Sequence, residues 1–546
     1  MFPVSGEQIK YCKHSRLPTF NIVTAGGGGP FIRGQATDMK DDKTDAFSKL
    51  CLRLREIGTL RSVQATLSWD QETMMPAAAA EFRGEEMALL STLIHRQFTD
   101  AELGDLMEAA GEQAELREDP ALLADLREIR RDYANACKLP VDLVSELSLA
   151  STRGLTAWKQ AREESRFEHF RPHLETLLDL NRRKAACLQD GDEGEPYDAL
   201  LDEYEPGFKG SRVEALFTPL RRELVPLIED LAGAPDRPDP AIHEQKIDVD
   251  RQIRFSREIA RAIGYDFDAG RLDISTHPFT EGLAPGDTRI TSRFQEAPFA
   301  DGLGSTMHEA GHALYEQGLP KNEYHGRPLS EAVSLGIHES QSRLWENQVG
   351  RSRPFWNWAA PRAGEILGLE DPDPDSVYRA MNLVSPGLIR VESDEATYNL
   401  HIMLRFDLER AMLHGELQPA DLPAAWNERV LSDLGLTVPD DARGCLQDIH
   451  WSMGAIGYFP TYTLGNLYSA QIWEAVRKEM PDLDARMEAG EFEPLLSWLR
   501  ENIHRHGRRW PAEELGERVT GKRLSHEPLM HYLRGKLRPI YGLSGS

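Results

Sequence analysis

The chain has 546 residues, with 63 Lys and Arg against 89 Asp and Glu and a formal net charge of −26. Nucleic acid and anionic membranes recruit clustered basic residues, so this balance argues against both as partners. A hydrophobic fraction of 40% is ordinary for a soluble globular protein, and no apolar run approaches the ~18 residues of a membrane span.

Residues 1–40 begin the chain without a clear secretory apolar region. Thr24-Ala25-Gly26-Gly27-Gly28-Gly29-Pro30 lacks the Lys-Ser/Thr of a phosphate loop and reads as a flexible linker. This stretch is expected to be a poorly ordered extension, to reflect a start codon placed upstream of Met39, or, as the weaker alternative, to be a transit peptide. From Asp45 to about Gly264 the pattern is helical: Ala46 to Ile57, Glu81 to Phe98 and Leu122 to Cys137 carry apolar residues three and four apart among many charges. Asp192 to Pro196 and Ala232 to Ala241 read as surface connections. Strand signals are few, the best being Arg271 to Ile274 and Thr288 to Phe294, expected to form a small hairpin or sheet. Residues 41–546 are expected to be one mainly helical unit.

The next element is the most informative. In Met307-His308-Glu309-Ala310-Gly311-His312-Ala313-Leu314 two histidines four apart bracket a glutamate. Residues i and i+4 share a helix face, so both imidazoles can reach one cation while Glu309 reaches a water beside it. Leu303, Met307, Ala310 and Leu314 form an apolar stripe, and Gly318-Leu319-Pro320 supplies a stop. A capping role for Thr306-x-x-Glu309 is the competing reading, disfavoured because the stripe begins at Leu303. A zinc hydrolase of this kind needs a third protein ligand and leaves one position open. Tyr315 and Gly318 stand where one known continuation would need Gly and His, so that ligand lies farther along. The segment Leu329 to Arg343 reads as a second helix and offers Glu331 and Glu339, between which spacing alone does not choose. Beyond it, Gly454 to Asn466 mixes glycines, aromatics and a proline, as suits a loop lining a cleft.

Six separated motifs now stand in order: His277-Pro278-Phe279, Asp287-Thr288-Arg289-Ile290-Thr291, His308 to His312, His338-Glu339-Ser340-Gln341, Ile389-Arg390-Val391-Glu392-Ser393-Asp394, and Gly444 to Trp451. Together with Leu67 to Pro76 they resemble the carboxypeptidase Taq family of metallocarboxypeptidases, from about residue 46 to the end. Ser393 stands where the family pattern has Ala, a small-for-small exchange. The resemblance implies a saddle-like helical body with a deep active-site groove, a homodimer, and release of carboxyl-terminal residues from short or unfolded peptides. It makes Glu339 the third metal ligand and Arg390 the group that recognises the substrate carboxylate, for which a planar guanidinium is suited.

Arg289 is a further candidate for the carboxylate. Asp287 is a candidate to orient a ligand histidine, and His277, Gln447, His450 and Tyr458 are candidates to contact substrate or the developing oxyanion. Zinc is the expected metal, with cobalt a possible substitute. An endopeptidase or dipeptidyl-type peptidase on a similar body is the alternative. The five cysteines, Cys12, Cys51, Cys137, Cys187 and Cys445, show no paired spacing and are expected to be free thiols, and the cytoplasm is the expected location.

Overall fold

The computed structural model describes residues 45–113, 118–189, 194–369 and 372–543. The extension anticipated over residues 1–40, Cys12 included, lies outside the described residues. Helices dominate what is described, accompanied by one three-stranded sheet, and no helix there is long and apolar enough to cross a membrane. The Asp45 carboxylate caps a helix spanning Ala46–Thr73. That helix runs well past the expected Ile57, because Gly58, a residue that weakens helices, here backs onto Gly326: a Cβ would lie 2.6 Å from its Cα. Asp119 accepts the Ala121 N–H at 2.8 Å and starts Pro120–Lys138, with Pro at its first position.

The sheet has the order β1-β3-β2, with β1 Leu272–Ile274, β2 Thr280–Ala284 and β3 Asp287–Ser292. The two strands anticipated from sequence pair in parallel, Leu272 opposite Ile290, so they form no hairpin with each other. The hairpin is instead β2 with β3, turned by Pro285-Gly286 with Gly286 at φ +78°. Pro followed by a glycine of positive φ favours such a tight turn.

The helix Phe299–Gly318 carries His308 and His312. It buries Leu303, Met307, Ala310 and Leu314 in the main core and ends at the expected stop. Thr306 lies well inside it and donates to the Gly302 carbonyl at 2.7 Å, so it is no cap. The anticipated second helix is shorter than expected. A 3-10 turn at Pro328–Ser330 leads into non-helical chain, and the helix proper spans Leu335–Arg343, capped by Ser334, and passes into a π-helical segment Leu344–Val349. The supposed loop from Gly454 also differs. Gly454 and Gly457 turn the chain at φ +74° and +90°, but from Pro460 it is helical through Glu479, because proline suits a first helical position.

Candidate metal centre

Glycines let the elements around the two histidines approach closely. A Cβ on Gly311 would lie 2.6 Å from the Ser342 Cα, and one on Gly465 would lie 2.6 Å from the Glu339 Cβ. The helix Leu335–Arg343 is therefore pressed between Phe299–Gly318 on one side and Pro460–Glu479 on the other. Glu339 Oε2 ends 3.3 Å from His312 Nε2 and 3.7 Å from His308 Nε2. Bonds of about 2.0–2.1 Å at tetrahedral angles would space neighbouring ligand atoms about 3.3–3.4 Å apart, so the three groups fit one zinc-sized cation.

The other ring nitrogens are tied. His308 Nδ1 lies 2.9 Å from Glu346 Oε2, so its proton sits there and Nε2 keeps a lone pair. His312 Nδ1 lies 2.5 Å from His338 Nδ1, and His338 Nε2 lies 2.9 Å from Glu316 Oε1. With His338 donating to Glu316, its Nδ1 accepts from His312, whose Nε2 is again left free for a cation. Burial, with His338 close by, pulls His312 down to about 3, keeping it in the neutral form that can ligate a metal. Burial opposes ionisation of Glu339, but Arg343 and the two histidines outweigh it and hold its carboxyl well below the usual range. Arg343 donates to Glu339 Oε1 at 2.7 Å and to Glu346 at 3.1 Å, leaving Glu339 Oε2 for the histidine side. Glu346 sits at about 2, burial being overcome by Arg343 and His308.

Glu309 is buried and receives the Thr280 hydroxyl at 2.7 Å on Oε2. The same hydroxyl lies 2.8 Å from the Glu309 carbonyl, so β2 grips the helix Phe299–Gly318 at Glu309. Burial raises the Glu309 carboxyl, with His308 and Thr280 pulling the other way.

A second group lies across Tyr398. Arg343 stacks 4.3 Å over the Tyr398 ring, and the Tyr398 hydroxyl accepts from Arg390 Nη1 at 2.9 Å. Arg390 also donates through Nε to Asp448 at 2.9 Å, while its backbone N–H goes to Gln447 Oε1 at 2.9 Å. Asp448 is shared with the buried Arg405, 2.6 Å away. The ion-pair partner of Arg390 is thus Asp448, rather than its near neighbours Glu392 or Asp394. His450 Nε2 lies 3.2 Å from the Tyr462 hydroxyl, and the Tyr458 ring stands 5.1 Å from that imidazole. Arg390, Gln447, His450 and Tyr458 therefore come together.

The other four candidates have different surroundings. Both Asp287 oxygens accept from Arg289, at 2.8 and 2.7 Å, and Arg289 lies 4.6 Å over Trp69. Asp287 thus orients no ligand histidine; Glu346 and His338 hold those positions, because chain remote in sequence folds beside the rings. The His277 side chain is exposed. Glu331 pairs with Arg508 at 3.2 Å, away from the histidines. Thr280, Arg343 and Glu346 escaped sequence reasoning. The one signal for Glu346 is its place seven residues after Glu339, two helical turns along one face.

Residues 49–537 match the family model for carboxypeptidase Taq (M32) metallopeptidase. The chain belongs to the carboxypeptidase Taq (M32) metallopeptidase family. Thermostable carboxypeptidase 1 of Thermus thermophilus is 44% identical over 507 residues, covering 91% of this chain and 99% of that protein. Carboxypeptidase 1 of Bacillus subtilis is 36% identical, covering 89% and 97%. The crystal structure of the M32 carboxypeptidase from Deinococcus radiodurans R1 superposes with a TM-score of 0.88 at 41% identity, covering 91% of this chain and all of that one. The mainly helical fold with its small sheet is that of M32 carboxypeptidases, and the chain is a metallocarboxypeptidase requiring a divalent metal.

Proposed function

We propose that this metallocarboxypeptidase works with zinc held by His308, His312 and Glu339, uses Glu309 as its general base, and releases carboxyl-terminal residues with broad specificity from short or unfolded peptides. The observation that carries the reading is the convergence of His308 Nε2, His312 Nε2 and Glu339 Oε2 beside the buried Glu309 carboxylate. When bound, the cation supplies Lewis acidity to the scissile carbonyl and acidifies a water. Glu309 accepts that water's proton and returns it to the leaving amine, held in place meanwhile by Thr280. Arg390 has five N–H groups, of which Asp448 and Tyr398 engage three, and the remaining donors take the terminal carboxylate. His450 and Tyr458 contact the substrate backbone or the developing oxyanion. Residues 41–546 form the catalytic unit, which acts as a homodimer in the cytoplasm.

The test is release of single amino acids from matched peptides with free and amidated carboxyl ends, by zinc-loaded, cobalt-loaded and chelated protein. Metal-dependent release from the free end alone is expected. Internal cleavage of both peptides would replace this reading by an endopeptidase.

A further inference from the structure

The turn after the helix Pro196–Leu201 carries Glu205, a fully buried carboxyl with no part in the chemistry above. It faces the amino end of the helix that presents Glu339. Glu205 Oε2 accepts the Gly336 N–H at 2.9 Å, and the carbonyl of the preceding Tyr204 accepts the Leu335 N–H at 2.9 Å. Ser334 takes the Ile337 N–H at 3.1 Å, so three successive amides of that first turn are tied, two of them by Tyr204-Glu205. Glycine leaves room for the contact, since a Cβ on Gly336 would lie 2.6 Å from Glu205 Oε2 and push that carboxylate aside. A buried carboxyl is costly to keep, and burial pushes Glu205 up to about 7 against the pull of the Gly336 N–H. Glu339 is three residues on from Gly336, on the same face, so rotation of this first turn moves the Glu339 carboxylate directly. The Tyr204 ring meets Tyr458 edge-on at 5.1 Å, and Tyr458 stands 5.1 Å from His450.

We propose that Glu205 is a positioning residue for the metal centre: its bond to Gly336 sets the rotation of the Glu339 helix, and Tyr204 beside it couples that helix to the Tyr458 aromatic group. The inference rests on the reading of His308, His312 and Glu339 as the metal ligands.

The experiment uses the full chain as wild type, Glu205→Ala, Gly336→Ala and the double variant. Zinc affinity is measured by chelator competition, the visible absorption of the cobalt-loaded protein is recorded, and the melting temperature of the metal-free protein is taken alongside. Glu205→Ala is expected to weaken zinc binding about 10- to 100-fold and to shift the cobalt bands, as loss of a group supporting a metal ligand does. Gly336→Ala presses a methyl on the same oxygen and should do likewise. The double variant should lose less than the two single losses combined, because the clash goes with the carboxylate. A Glu205→Ala protein that melts earlier but keeps wild-type affinity and cobalt bands overturns the proposal; should that variant not fold, Gly336→Ala decides by the same two readouts. Wild type that binds neither metal overturns the ligand reading as well, whereas normal binding with unaffected variants overturns the positioning role alone.

Discussion

Glu309 combines a buried carboxyl, raised by that burial, with one hydroxyl donor, so it takes a proton more readily near neutral pH than an exposed glutamate does. Glu309→Gln keeps the shape and loses the basicity. Turnover should fall about 10²- to 10⁴-fold while zinc affinity stays close to wild type; undiminished turnover would remove Glu309 from the chemistry. Arg390 is a separate case, because Asp448 keeps Arg405 when Arg390 is removed, so no carboxylate is stranded. Arg390→Ala should lower kcat/KM on free-carboxyl peptides at least about tenfold and collapse the ratio between free and amidated ends. A ratio that survives would assign carboxylate recognition elsewhere. At this scale His308, Glu309 and His312 are legible in the sequence because their geometry is local to one helix. Thr280 and Glu346 are not, since they meet Glu309 and His308 across 29 and 38 residues of chain.

Helix existence follows from apolar periodicity, whereas helix limits and approach distances follow from neighbours. The Leu329–Arg343 segment shows the difference. Its pattern reads as continuous helix, but Glu331 is drawn outward by Arg508, and the helix starts only at Leu335, where Ser334, Tyr204 and Glu205 supply partners for its first N–H groups. Gly465 matters in the same way, since its missing side chain is what lets Pro460–Glu479 close on Glu339. Gly465→Ala forces the two helices apart or Glu339 aside, an overpacking that costs about 1–3 kcal/mol. The expected result is a lower melting temperature together with zinc affinity reduced at least about tenfold. Unchanged affinity would show that Glu339 tolerates the shift and that close approach is not what sets its position.

The same burial that shapes the site governs how the whole molecule responds to acid. His504 is fully buried, with Nε2 2.9 Å from Gln341 Oε1. Burial, with Arg500 and His338 adding to it, pulls the imidazole down to about 3. In the unfolded chain a histidine takes its proton near 6.5, so between about 6.5 and 3 the unfolded state binds more protons, and stability falls with pH by about 1.4 kcal/mol per unit from this group. His504→Gln removes that contribution. Denaturant titrations between about pH 4 and 6 should show a flatter dependence for the variant by about 1 kcal/mol per pH unit, and parallel curves would refute a neutral buried His504. By itself the sequence determined the helical class, the helix that carries His308, Glu309 and His312, and the residue types gathered there, because three-to-four-residue periodicity and the His-x-x-x-His spacing are short-range properties of one helix. Only the tertiary structure decided that Glu346 and His338 orient the histidines, that Arg390 pairs with Asp448, and that Asp287 turns to Arg289, because each of those partnerships depends on which distant segments pack together.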